Sequence, residues 1–213
     1  MIAIIDYKAG NLTSVKRALD FLGQKSVITN DYDRVAQSER VIFPGVGAAG
    51  TAIADLKKQK LDKALIRSLD DKKPILGICL GTQIIMERSQ ENNTECIGLV
   101  KGEVRRFPED LKDSDGRKLK VPHMGWNSVD LKRKHPVFEG VEPDNEFYFV
   151  HSYYPAPSNV DNILGETSYG ITFTSVIILD NFVAMQFHPE KSGKPGLKIL
   201  ENFCNWDGND YVR

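Results

Sequence analysis

Two stretches of this sequence carry residue types that do covalent chemistry. The first is Pro74-Ile75-Leu76-Gly77-Ile78-Cys79-Leu80-Gly81-Thr82-Gln83, an apolar run of strand length that meets a cysteine with a glycine two residues before and after it. Gln83, Ile84, Ile85, Met86 and Glu87 follow at helical spacing. The pattern predicts a strand, a tight turn and a helix, with the thiol on the turn. Glycines at those positions let backbone segments pass closely and take angles that a side chain forbids, and reactive serines sit in the same glycine-flanked elbow. At a helix N-terminus an anion gains about 0.3–1 kcal/mol, so the thiolate is favoured there. The plainer alternative is a small buried hydrophobe, which a cysteine beside Ile and Leu most often is.

The second stretch supplies what a thiol nucleophile needs, a base and a group to orient that base. Of the four histidines, His135 precedes Pro136 in a charged, turn-like segment and is expected at the surface. His188 instead follows the apolar run 182–187 and leads into Pro189-Glu190. Residues two apart on an extended segment point to the same side. Glu190 is therefore expected to reach one imidazole nitrogen while the other faces the thiol, and Pro189 biases His188 towards an extended backbone. Alone, this could be a surface histidine beside an exposed glutamate. Beside the cysteine elbow it reads as a base with its orienter attached.

Elements that could hold these groups are visible along the chain. Residues 1–6, 26–29 and 40–43 read as strands, and 12–22, 51–69 and 196–206 as helices, with Gly23 suited to the first helix stop. Alternating strands and helices over the first ninety or so residues predict an α/β fold with an open, mainly parallel sheet covered on both faces. From 97 to 170 short segments at 99–100, 103–107, 127–131 and 146–150 alternate with turn residues and predict mixed or antiparallel strands. Residues 171–180 and 182–187 suit a hairpin turning at Asp180-Asn181. The charged stretch 110–120 reads as a solvated surface loop. Cys204 lies on the inner face of the last helix and reads as core. Pro44-Gly45-Val46-Gly47 follows a strand directly, which is where such sheets place ligands; neither a dinucleotide-binding glycine fingerprint nor a phosphate-loop Lys-Ser/Thr is present.

Composition narrows the class further. The 213 residues suit one domain over 1–213, and 41% hydrophobic with 27% charged residues is ordinary for a globular protein. A net charge of -1 argues against a nucleic-acid footprint. The chain has no apolar run of membrane-spanning length and no signal-peptide start, so a cytoplasmic protein without membrane contact is expected. Cys79, Cys96 and Cys204 are too widely spaced for a disulfide framework or a zinc cluster.

Pro44-Gly45-Val46-Gly47, Gly77-Ile78-Cys79-Leu80-Gly81-Thr82-Gln83 and Phe187-His188-Pro189-Glu190, in this order and separation, resemble the class I (triad) glutamine amidotransferases. More narrowly, Asp6-Tyr7-Lys8-Ala9-Gly10-Asn11-Leu12, Pro122-His123-Met124-Gly125-Trp126-Asn127 and His188-Pro189-Glu190-Lys191-Ser192 resemble the glutaminase subunits of imidazole glycerol phosphate synthases. Lys8 stands where those subunits more often have glycine. The resemblance implies a flavodoxin-like fold and hydrolysis of L-glutamine to glutamate and ammonia by Cys79, His188 and Glu190. The implied oxyanion hole is the backbone N–H groups of Val46 and Leu80. Substrate contacts are implied at Gly47, Gln83, Ser152 and Tyr153, and Gln83 also lies one helical turn after Cys79, on the same face. His151 belongs to the same segment but equally suits a packed histidine at a strand end. A (β/α)8-barrel cyclase subunit is the implied partner, in a heterodimer serving histidine biosynthesis, with Asn11, His123, Trp126 and Lys191 at its interface. No cofactor or metal is required by this chemistry.

Three alternatives stand beside this reading. A related glutaminase could feed ammonia to another synthase, such as one in sugar amination, while keeping residues 122–127. A cysteine peptidase would need an open groove, against which Gln83 beside the nucleophile argues. A regulatory subunit without catalysis would not need Cys79, His188 and Glu190 together.

Overall fold

The computed structural model describes residues 1–8 and 10–209. In chain order the elements are β1 (Ile2–Ile5), α1 (Leu12–Phe21), β2 (Ser26–Thr29), α2 (Tyr32–Gln37), β3 (Arg40–Gly45), α3 (Ala49–Lys58), α4 (Leu61–Asp70), β4 (Ile75–Cys79) and α5 (Leu80–Gln83). There follow β5 (Met86–Ser89), β6 (Thr94–Glu95), β7 (Val100–Arg106), β8 (His123–Ser128), β9 (Asp130–Leu131), β10 (Glu146–His151), β11 (Tyr153–Pro157), β12 (Ile163–Tyr169), β13 (Ile171–Leu179), β14 (Phe182–Met185) and α6 (Gly193–Asn205).

The central sheet runs in the order β2-β1-β3-β4-β14-β13-β12-β9. Its strands from β2 to β14 are parallel, and the remainder is antiparallel. The expected α/β architecture with a mainly parallel sheet and mixed additions is therefore observed. Strands alternate their side chains between two apolar layers. Ile2 and Ile4 join Val15, Leu19, Ile199 and Phe203 on the face covered by α1 and α6. Ala3 and Ile5 join Ile53, Leu56, Leu61 and Leu65 on the face covered by α3 and α4. Two smaller sheets, β11-β7-β5-β6 and β10-β8, account for the change of texture after residue 97; the segments 99–100 and 103–107 merge largely into the one strand β7.

Several local expectations need correction. The helix read over 51–69 is two helices, because Lys60 adopts a left-handed φ of 59° between α3 and α4. The helix after Cys79 lasts one turn, and Met86 and Glu87 lie on β5 instead. Such a short helix has few aligned peptides, so its dipole is a weaker reason for an anionic sulfur than the sequence pattern suggested. Helix α2 was not anticipated, although Asp31 is a legible cap: its carboxylate accepts from the Arg34 N–H at 2.9 Å. His135 is buried, not surface, with its ring 5.1 Å from that of Trp206 and its Nδ1 accepting from the Val137 N–H. The hairpin at Asp180-Asn181 forms as expected, with Leu179 opposite Phe182 and Asp180 at a left-handed φ of 50°. The 110–120 loop is largely exposed, with Leu111 buried as its anchor.

The elbow glycines act through space rather than through angle. A Cβ on Gly81 would lie 1.9 Å from the Phe43 carbonyl oxygen of β3, and one on Gly77 would lie 2.8 Å from the Ala184 Cβ of β14. Gly81→Ala is expected to destabilise the fold by about 3 kcal/mol or to displace β4 from β3. Urea unfolding of the variant against the parent checks the size of the loss.

Candidate active site

The register of β3, β4 and β14 decides what meets at their carboxyl ends. Gly45 pairs with Cys79 across β3 and β4, and Ile78 pairs with Met185 across β4 and β14. One step further on, Val46 and Leu80 become neighbours, and Gln186 comes level with Cys79. Cys79 is 7% exposed and takes φ 54° and ψ −106°, a conformation that costs about 1–3 kcal/mol in a residue with a side chain. The cysteine itself, not its glycines, adopts the forbidden angle.

His188 follows β14 and is buried. Its backbone N–H donates to the Tyr148 carbonyl at 2.9 Å, and its carbonyl accepts from the Ser192 hydroxyl at 2.6 Å. Glu190 Oε1 lies 2.8 Å from His188 Nδ1, as expected, but the path differs. Residues Pro189–Lys191 form a 3-10 turn, so the carboxylate arrives by a turn instead of by alternation along a strand. His188 Nε2 is buried with no hydrogen-bond partner among the described residues. Burial opposes charge on this ring, yet Cys79 and then Glu190 outweigh it and push its pKa up to about 10. Burial pushes the Cys96 and Cys204 thiols up to about 11, prevailing over Lys57 near the first and Arg40 near the second.

Pro44 and Gly45 close β3, with Gly45 beside Cys79, and Val46 and Gly47 lead on from the strand end. Leu80 opens α5, so its N–H has no acceptor within the helix. Gly45 is clamped, since a Cβ there would sit 1.8 Å from the Tyr7 hydroxyl and 3.2 Å from the Leu80 Cβ. Gly47, at φ 102°, has open space where a Cβ would be, and a Cβ on Gly10 would sit 3.0 Å from the Val46 side chain. Val46 is 37% exposed. Tyr7 is a neighbour that sequence reasoning missed. Its hydroxyl is buried and unbonded among the described residues, and burial followed by the nearby Cys79 raises its pKa well above the tyrosine range.

Gln83 is buried, and its amide nitrogen donates to the Tyr153 carbonyl at 2.8 Å and to Gln186 Oε1 at 3.0 Å. Gln186 in turn places Nε2 3.7 Å from the Cys79 sulfur. Gln186 was absorbed into an apolar strand in the sequence reading; one amide inside a run of buried residues was the available signal. Ser152 accepts the Phe107 N–H at its carbonyl, at 3.1 Å, and precedes the half-buried Tyr153. His151 is buried among Phe107, Phe149 and Phe173, the packed strand-end position considered for it.

The four expected interface residues divide. Trp126 is 53% exposed, beside Tyr148 and with Met124 two residues before it on β8. Lys191 reaches over the Tyr148 ring with Nζ 5.9 Å from its centroid. His123 does not belong with them: it is 2% exposed, stacked against Phe149 and Tyr169, because alternation on β8 turns it inward. Asn11 faces the site itself, donating from Nδ2 to Glu190 Oε1, with His188 Nδ1 3.4 Å away. Lys8, shortly before it, takes a left-handed φ of 67°, a region that glycine adopts more readily than lysine.

The profile of the glutamine amidotransferase class-I family matches residues 3–206. The chain belongs to the class-I glutamine amidotransferases. It is similar to the imidazole glycerol phosphate synthase subunit HisH of Maridesulfovibrio salexigens, 49% identical over 206 residues that cover 97% of each chain. The subunit of the same name from Neisseria meningitidis serogroup B is 47% identical over 210 residues, covering 96% of this chain and 99% of that one. Among solved structures, PurLQS from Thermotoga maritima aligns over 96% of this chain and 97% of that chain, with a TM-score of 0.71 at 18% identity. That likeness carries the fold.

The histidines of this amidotransferase make a pH prediction. Burial lowers His123 to about 4, His135 to about 4 and His151 to about 3. These rings stay neutral in the folded chain while the unfolded chain binds protons below about 6.5. Their contribution is present above that pH and is lost as pH falls towards their folded values. Stability is expected to drop between pH 6.5 and 5 by about 1 kcal/mol per unit for each ring. His135→Gln should remove about a third of that slope, as read from urea midpoints across the window.

Proposed function

We propose that the chain is the glutaminase subunit of an imidazole glycerol phosphate synthase, with Cys79, His188 and Glu190 as its triad. The observation that carries the catalytic part is the placement of a buried His188, held by Glu190 at 2.8 Å, as the group whose charge is set by Cys79. The Cys79 sulfur attacks the side-chain amide carbon of L-glutamine, and the C–N bond breaks as His188 gives its proton to the departing ammonia. Water then attacks the thioester carbonyl, passing a proton to His188, and the C–S bond breaks to release glutamate and restore the sulfur. Glu190 holds the imidazole in one orientation throughout, and Asn11 holds Glu190.

The tetrahedral oxygen of each step is received by the Leu80 N–H and by the Val46 N–H beside it. One such donor is worth about 2.7–4 kcal/mol of barrier. Leu80 is set by α5, whereas the Val46 N–H lies on the peptide just past the end of β3 and is the donor proposed to turn. Gly47, Gln83, Ser152 and Tyr153 line the substrate side. The relatives' names make them subunits of a synthase, and a (β/α)8-barrel cyclase that consumes the ammonia is the partner proposed here. The surface it would cover is the row Met124, Trp126 and Lys191. His123 supports that surface from beneath.

Glutamine-dependent ammonia release should vanish in Cys79→Ala. With the parent chain, adding the cyclase and its nucleotide ligand should raise the rate by at least tenfold if the Val46 peptide is the missing donor. Equal rates with and without the partner would remove the proposed dependence while leaving the triad standing.

A further inference from the structure

A continuous hydrogen-bonded chain runs from the surface of β8 to the sulfur, and its direction is determined at every link. The Tyr153 carbonyl is an acceptor only. It lies 2.8 Å from His151 Nδ1, so that nitrogen carries the proton, and His151 Nε2 must accept from His123 Nδ1 at 3.1 Å. His123 Nε2 then accepts from Asn127 Nδ2 at 3.4 Å. Both rings are neutral at ordinary pH because burial lowers them. The same Tyr153 carbonyl obliges Gln83 to present its N–H group, and the Gln83 N–H obliges Gln186 to present its oxygen. An amide with its oxygen committed has only its NH2 left for the next neighbour. That neighbour is the Cys79 sulfur, 3.7 Å from Gln186 Nε2.

From this geometry we propose that Gln186 is a catalytic residue: its amide N–H donates to the Cys79 thiolate and holds the sulfur for attack, in an orientation fixed by Gln83 and the Tyr153 carbonyl. The inference rests on Cys79 as the nucleophile. Gln186 is fully buried, and a flip of its amide would set its NH2 against the Gln83 NH2, 3.0 Å from the place its oxygen now holds. As the C–S bond forms, the sulfur gives up its charge and the donated bond weakens; as the thioester breaks, the bond returns. Gln186 thus favours the sulfur as attacking and as leaving group alike. Other groups acting on the sulfur are His188 after β14 and Tyr7 after β1, with Glu190 and His151 acting through His188.

The test is the pH profile of iodoacetamide alkylation at Cys79, with Cys96 and Cys204 replaced by serine. Gln186→Met, which removes the donor at nearly constant shape, should move the midpoint up by about one pH unit, and Gln186→Glu, which sets an acceptor against the sulfur, should move it further. Glutaminase kcat should fall at least tenfold with KM little changed. A packing role alone would lower the folded fraction and leave the midpoint in place, so an unmoved midpoint in both variants overturns the proposal. If neither variant folds, the side-chain amide proton resonances of Gln186 in the parent decide. They should follow the alkylation midpoint with pH, and insensitivity to it overturns the proposal. Glutaminase activity surviving Cys79→Ala would instead remove the nucleophile on which the inference rests.

Discussion

The site depends on three parallel strands that end at one level. Because Gly45 pairs with Cys79 and Ile78 with Met185, the carboxyl ends of β3, β4 and β14 deliver Val46, Leu80, Cys79 and Gln186 into one small volume. Such close approach leaves no room for side chains on the flanking backbone. Gly45 makes way for Tyr7, Gly77 for Ala184 and Gly81 for the Phe43 carbonyl. The strained backbone of Cys79 is sustained by the strands on either side of it, which explains how a residue with a side chain holds φ 54°. A free strand end would relax from that angle.

Two histidines in similar surroundings show how partners set charge. His188 and His151 are both buried, and burial alone drives a ring towards neutrality. His151 faces a neutral carbonyl and the uncharged His123, so burial prevails and its pKa falls to about 3. His188 faces Cys79 and the Glu190 carboxylate, which prevail over burial and raise it to about 10. One ring is therefore held towards the charged form, while the other keeps a fixed tautomer and donates to the Tyr153 carbonyl that also accepts from Gln83. Asn11 binds the first of these systems, and Asn127, near the exposed Trp126, starts the second.

Local signals proved readable where the chain itself imposed them. The apolar run into Cys79, the glycines two residues either side and His188-Pro189-Glu190 announced an elbow and an oriented base, and the structure places Glu190 on His188. The parallel half of the sheet was legible from alternating strand and helix patterns. Residues 84–87 were misread because an apolar, amphipathic stretch suits a helix or a buried strand equally; the helix ends at Gln83, and pairing of β5 with β7 put Met86 and Glu87 on a strand. His135 looked exposed because its neighbours in sequence are charged, but its ring is enclosed by Trp206, far along the chain.

Residue type and spacing along the chain thus determined which groups had chemical potential: a thiol on an elbow, a histidine with a carboxylate two residues on, and a glycine-flanked loop after a strand. Tertiary structure alone decided what each of them touches. Tyr7 against Gly45, Asn11 on Glu190, and Gln186 on the sulfur join residues far apart in the chain, brought together by strand registers that no local pattern encodes. His123 turned inward for the same reason, since which face of β8 is buried depends on the layer packed against it. A sequence specifies its own periodicity, whereas burial and hydrogen-bond partners follow from where the sheet brings its strands together.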